Sequence, residues 1–193
     1  RAGWLDGVTR LYIVPHGALT YLPFALLPRP ANGRGELLVD HFTVAYLPAA
    51  AALLREPSGA GPAKSLLAVA PSRGGLRHAP EEARAIDALF QPNARTLIGG
   101  EATEGRFKQL AGDFRVLHLA THGYFNEASP LLSGLELEAD HNDDGMLRVH
   151  EILDLPLHAD LVTLSACDTA LGSGYFAELP VGDEFVGLNR AFL

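Results

Sequence analysis

An α/β fold built around a largely parallel sheet is the architecture this sequence predicts, on three observations. Short apolar, β-branched runs alternate with helical patterns, the signature of βαβ units. Ser65–Ala70 is one continuous apolar run, as suits a central strand covered on both faces. A chain of 193 residues that is 48% hydrophobic can bury one sizeable core.

The elements follow in order. Leu11–Val14 and Phe42–Leu47 predict strands of an N-terminal β layer within residues 1–60, separated by the turn-rich stretch from Pro28 to Gly35. Residues 61–193 predict the core. After the Ser65–Ala70 strand, Pro80-Glu81-Glu82 opens a helix: Pro needs no N–H partner in the first turn, and acids favour the positive end of the helix dipole. Ala83, Ile86, Leu89 and Phe90 form its apolar stripe. Thr96–Ile98 predicts a short strand ended by Gly99-Gly100, and Thr103 caps a helix that buries Phe107 and Leu110. Phe114–Thr121 and Leu161–Ser165 are the next principal strands. Between them come a short strand at Leu135–Leu137 and a short helix over Val149–Asp154. Phe185, Leu188 and Phe192 keep helical spacing to the end of the chain.

Two of these strands end in reactive residues. Val116-Leu117-His118-Leu119-Ala120-Thr121-His122-Gly123 delivers His122, and Val162-Thr163-Leu164-Ser165-Ala166-Cys167-Asp168-Thr169-Ala170 delivers Cys167. Sites in open α/β sheets form outside the carboxyl ends of the strands, so both side chains reach one edge. A thiol nucleophile needs a base, because a free thiol is only a few per cent thiolate at pH 7; an imidazole on a neighbouring strand supplies one. His118, deeper on the same strand face, predicts a neutral core histidine with a hydrogen-bond partner. Asp168 either caps the turn after the nucleophile or faces the cleft and selects a basic substrate side chain. Ser165 lacks the Gly-x-Ser-x-Gly elbow of serine hydrolases.

His122 precedes Cys167 by 45 residues, close to the His-before-Cys spacing of caspases and opposite to papain-like order. The strings His-Leu-Ala-Thr-His-Gly and Leu-Ser-Ala-Cys-Asp-Thr resemble those of the CHAT family of caspase-like proteins. So do Ile13-Val14-Pro15-His16-Gly17 with Leu22-Pro23-Phe24, Tyr46-Leu47-Pro48, Pro130 to Leu135, and Gly187 to Phe192. The resemblance spans essentially the whole chain. It implies a three-layer caspase-like fold with a mostly parallel central sheet and an N-terminal β extension. It also implies a cysteine endopeptidase with His122 as general base and Cys167 as nucleophile, and Gly123 and Cys167 N–H groups as oxyanion donors. A protein substrate, TPR or other regulatory regions in the same or a partner chain, and bacterial signalling or defence follow from the same likeness. Two departures stand out. The loop beyond Cys167 reads Val181-Gly182-Asp183-Glu184-Phe185, and the family's following strand with its Trp-Pro segment does not appear. The chain thus reads as an internal fragment, with a separate C-terminal chain as one way to complete the fold. The rival readings are a non-catalytic interaction module with Cys167 idle, and another cysteine hydrolase of amides or esters.

The remaining features bound the function. A formal net charge of −8 argues against direct nucleic-acid or anionic-membrane binding, and no run approaches a membrane span. Arg1–Arg10 lacks an apolar signal core and an initiator Met, and a lone cysteine suits a reducing cytoplasm. The basic residues are 13 Arg and 2 Lys, a bias that points to a GC-rich bacterial gene. His16, His41, His78, His141, His150 and His158 show no metal-ligand spacing. Asp140-His141-Asn142-Asp143-Asp144-Gly145 with Glu151 matches the calcium-loop pattern of EF-hands, but Arg148 takes a ligand position and a strand precedes the loop. No cofactor or metal is therefore expected.

Overall fold

The computed structural model describes residues 4–29, 35–54, 64–126, 128–166, 188 and 191–192. The chain divides into two compact units, one of residues 1–55 with 177–186 and the other of residues 56–176 with 187–193.

In the first unit, β1 (Arg10–Ile13) pairs in parallel with β2 (Thr43–Tyr46), Leu11 opposite Val44. Single 3-10 turns at Gly17–Tyr21, Phe24–Leu26 and Leu38–Asp40 make the connection. Phe42 is its buried anchor, and the Phe24 and Tyr46 rings lie 6.3 Å apart at a tilt.

The second unit is a three-layer α/β structure. Its sheet comprises β3 (Leu66–Ala70), β4 (Ala94–Ile98), β5 (Val116–Ala120) and β9 (Leu161–Ser165), all parallel, in the order β4-β3-β5-β9. Every residue of β3 is buried, because the period-2 alternation of a strand sends successive side chains into two different cores. Leu66, Ala68 and Ala70 meet Ala79 and Ala83 of α1 (Ala79–Phe90), with Ile86 and Phe90 completing the contact. Leu67 and Val69 face the opposite side, where they join Phe107 of α2 (Glu104–Leu110) and Val149 and Ile152 of α3 (Val149–Leu153). Leu188, Ala191 and Phe192 belong to this second core.

The apolar stripe of α1 is narrower than the sequence suggests. Ala79, Ala83, Ile86 and Phe90 recur every three to four residues, whereas Leu89 lies about 100° around the helix from Phe90 and is 81% exposed. Thr103 caps α2 as expected, its Oγ1 accepting the Arg106 N–H at 3.2 Å.

A small antiparallel sheet, β6 (Gly123–Tyr124), β7 (Gly134–Glu136) and β8 (Met146–Arg148), follows β5 directly. β6 and β8 have no counterpart in the sequence reading, being too short to show a period. Strand order decides where a site can form on the larger sheet. The chain leaves β3 for β4 on one side and returns to β5 on the other, so the order reverses between β3 and β5. A crevice opens at such a switch point, beyond the carboxyl ends of the two strands.

Phe107, fully buried at the centre of the second core, tests this packing. Phe107→Ala should cost about 3–5 kcal/mol in denaturant unfolding; a loss below about 1 kcal/mol would mean that α2 does not pack as described.

Candidate active site

The switch point is lined by the segment after β3, Pro71 to Gly75, and the segment after β5, Thr121 to Tyr124. The second is tied down on both sides. The buried Thr121 donates its N–H to the Ser165 carbonyl at 3.2 Å and its hydroxyl to the Glu136 carbonyl. The carbonyl of His122 accepts the Glu136 N–H at 2.9 Å. A histidine at this exit has its backbone anchored before its side chain makes any contact.

That side chain is half-buried and meets the other segment. Its Nε2 lies 3.1 Å from the Gly74 carbonyl oxygen. A carbonyl only accepts, so Nε2 bears the proton of this bond, and the lone pair of the neutral ring falls on Nδ1. Gly74 is glycine for two reasons: its φ is +74°, and a Cβ there would collide with His122 Cδ2 and Nε2.

His118 occupies different surroundings. It is 5% exposed on the α1 face of β5, and its Nε2 lies 2.9 Å from Oε1 of Glu82 on α1. This is the hydrogen-bond partner that a buried histidine requires, and it leaves His118 in the packing between helix and sheet.

Gly123, the expected oxyanion donor after His122, opens β6 opposite Leu135. Cys167 and Asp168 lie outside the described residues. In the sequence Cys167 follows Ser165 by two residues, Ser165 pairs with Ala120, and His122 follows Ala120 by two.

Sequence reasoning did not single out Gly74. Its signal was the Gly74-Gly75 pair a few residues beyond the most apolar strand, but a partner 48 residues away gives that break its meaning.

The loop that matches a calcium pattern is filled differently. Glu104, Asp143 and Glu151 bring three carboxylate oxygens within 4.8 Å of one another, a grouping that could hold a metal ion. Lys108 Nζ sits among the same groups, at 2.6 Å from Glu104, 2.7 Å from Asp143 and 2.7 Å from Glu151. The other carboxylates of the pattern are also engaged. Asp140 accepts the N–H groups of Gly105, Asn142 and Asp143, and Asp144 pairs with Arg148 at 2.8 Å. The backbone bonds, that of Asn142 first, hold the Asp140 carboxyl below its ordinary range, and the Arg148 bond does the same for Asp144.

Within the ring, burial pushes Glu104 up, only partly offset by Lys108. Burial also acts upward on Glu151, but its bonds to Lys108 and the Arg148 N–H outweigh that and bring it down. Burial would lower Lys108, yet the three carboxylates hold its pKa well above the ordinary value, so it stays charged. Glu104 Oε2 meanwhile accepts the Gly145 N–H at 2.9 Å, which fastens the β7–β8 connection to α2.

No helix among the described residues is long and apolar enough to cross a membrane. Compared with models of known protein families, residues 2–193 match the CHAT domain. A search of curated proteins found no match.

Removing the central cation should expose the cost of this ring. Lys108→Met should lower unfolding stability at pH 7 by about 3 kcal/mol, since it leaves buried carboxylates uncompensated. Without the lysine, burial is left to hold the folded-state pKa values of Glu104 and Glu151 above their unfolded values. The penalty is therefore largest above the folded values and shrinks as pH falls toward the unfolded ones. Denaturant titrations of both proteins at pH 7 and pH 5 check this; a gap that widens on acidification would contradict it.

Proposed function

The chain belongs to the CHAT domain family, which is caspase-like and peptidase-related, and on that footing we propose that it is a cysteine endopeptidase with His122 as base and Cys167 as nucleophile. One observation carries this reading: the imidazole of His122 is held at the β3/β5 switch point by the Gly74 carbonyl. Parallel neighbours lie about 4.8 Å apart, and the sequence offset of Cys167 from Ser165 equals that of His122 from Ala120, which supports a thiol and an imidazole sharing a substrate.

In this mechanism, Nδ1 of His122 takes the thiol proton while Nε2–H stays bonded to the Gly74 carbonyl. That carbonyl orients the ring and stabilises the imidazolium, a task given to a carboxylate in Ser-His-Asp triads. The Cys167 sulfur attacks the scissile carbonyl carbon, an S–C bond forms, and the oxygen takes up negative charge beside the Gly123 and Cys167 N–H groups. Collapse breaks the C–N bond, and the leaving amine receives the proton from His122. Water then attacks the thioester carbon while His122 takes one of its protons; collapse breaks the S–C bond, the thiolate regains that proton from His122, and the carboxylic acid product leaves, ionising in solvent. Asp168 either caps the following turn or selects a basic side chain of the substrate. A specific protein substrate in bacterial signalling or defence, a cytoplasmic setting, and a TPR or other regulatory region are parts of the same proposal, supported by the family likeness.

Alkylation of Cys167 by iodoacetamide, followed against pH, tests the pair. His122→Ala should slow it near neutrality and reduce peptide turnover by about 10³–10⁴-fold, the upper range for losing a general base. His118→Ala should act through stability, because its partner is Glu82. Cys167→Ser should not restore turnover, a hydroxyl being far less acidic than a thiol. If His118→Ala slows alkylation and His122→Ala does not, the base is misassigned; an unreactive Cys167 supports the interaction-module reading.

A further inference from the structure

The Gly74 carbonyl serves His122 only if the segment that carries it is held still. Pro71 is buried, but Ser72, Arg73, Gly74 and Gly75 are all exposed, and Gly74 and Gly75 both take positive φ, +74° and +71°. Glycines lose more conformational freedom on ordering than any other residue, so packing alone leaves such a turn loosely determined. The segment is fixed instead by polar contacts, and they come from one place.

Oε1 of Glu138 accepts two consecutive backbone N–H groups, Ser72 at 2.7 Å and Arg73 at 3.1 Å. The Arg73 guanidinium reaches the carbonyls of Leu137 and Asp144, each at 3.4 Å, and its Nε lies 3.9 Å from Oε1 of Glu136. Glu138 is itself set by backbone bonds: its N–H donates to the Ala102 carbonyl, and its carbonyl accepts the Glu104 N–H, both at 3.0 Å. A carboxylate that accepts N–H groups makes charge-assisted bonds, stronger than neutral ones.

The same strand holds the histidine. Glu136, two residues before Glu138, donates its N–H to the His122 carbonyl and accepts the Thr121 hydroxyl. β7 and its extension therefore grip both halves of the His122–Gly74 pair. One grip is through the backbone of Glu136 and the other through the side chain of Glu138.

We propose that Glu138 is a positioning residue for the active site: its carboxylate, with Arg73 as a second tie, places the Gly74 carbonyl that selects the Nε2–H form of His122. Its effect on reactivity rests on the peptidase reading; its effect on the imidazole does not.

The experiment reads both in the full chain. Histidines labelled with ¹⁵N report the tautomer of His122 by NMR, its signals assigned by their loss in His122→Ala, while iodoacetamide reports the Cys167 thiol. Glu138→Ala should shift the His122 nitrogens away from the Nε2–H pattern. It should also slow alkylation about 10- to 100-fold, the scale of a misplacement near 1 Å, and move the pH profile. Glu138→Gln, whose carboxamide oxygen still accepts, should restore most of both. Arg73→Gln should shift both in the same direction by less, and it serves as the probe if Glu138→Ala does not fold.

Asp140→Ala, which removes the bond to the Gly105 N–H in the same connection, is the control for general loosening. It should lower the unfolding midpoint with the His122 signals unmoved. Unchanged His122 nitrogens in Glu138→Ala, or an equal change in Asp140→Ala, overturn the proposal. If the nitrogens shift as expected but alkylation ignores both Glu138 and His122, the positioning stands and the peptidase reading falls.

Discussion

The parallel pairing of β3 with β5 is the constraint on which the rest of the second unit depends. Leu66 to Val69 register against Val116 to Leu119, and both strands are flanked on their other sides, by β4 and β9. With neighbours on both sides and cores on both faces, these backbones have no freedom to slip, because a one-residue shift would turn every side chain to the wrong layer. The ends of the two strands are thus fixed relative to one another to within the pitch of the sheet. Short segments that hang from those ends start from fixed points, which brings a half-buried histidine and an exposed glycine carbonyl within reach of their 3.1 Å contact.

Precision at the strand ends still has to be carried through irregular backbone, and polar groups do that work. Thr121 commits its N–H to β9 and its hydroxyl to β7, so the first residue beyond β5 joins the two sheets. Glu138 and Arg73 do the same for the segment after β3. These contacts lie where regular hydrogen bonding stops and apolar packing has little to offer, as expected for a site that must stay open on one side.

Legibility in the sequence tracked how local the cause was. The apolar run of β3 shows itself because burial on two faces leaves no polar position to break it; β5 is broken only by His118, and β9, exposed at alternate positions, carries Thr163 and Ser165. The start of α1 was legible from Pro80 and its following acids, and the start of α2 from Thr103. The extra apolar position assigned to α1, Leu89, shows the limit of a helical count made without knowing the width of the sheet beneath. β6 and β8 were not legible: strands of two and three residues exist because β7 lies beside them. Of the candidate pair, His122 lies just beyond β5 as its sequence string predicts, and Cys167 lies outside the described residues. The partners of the histidines were not legible, since Glu82 lies 36 residues from His118 and Gly74 lies 48 from His122.

The ring around Lys108 shows what a local pattern leaves out. Asp140 to Glu151 can be matched to a calcium loop by counting oxygens along one stretch of chain, yet the positive charge at its acidic ring is delivered by a helix more than thirty residues upstream. A cation tethered in this way has a stoichiometry set by the polypeptide and an effective concentration set by the fold, not by the surroundings. No chelator strips it away, and no fluctuation in ion supply empties it. A loop whose ordering is wired to an internal ammonium is constitutive, where one that waits for a diffusing ion is a sensor.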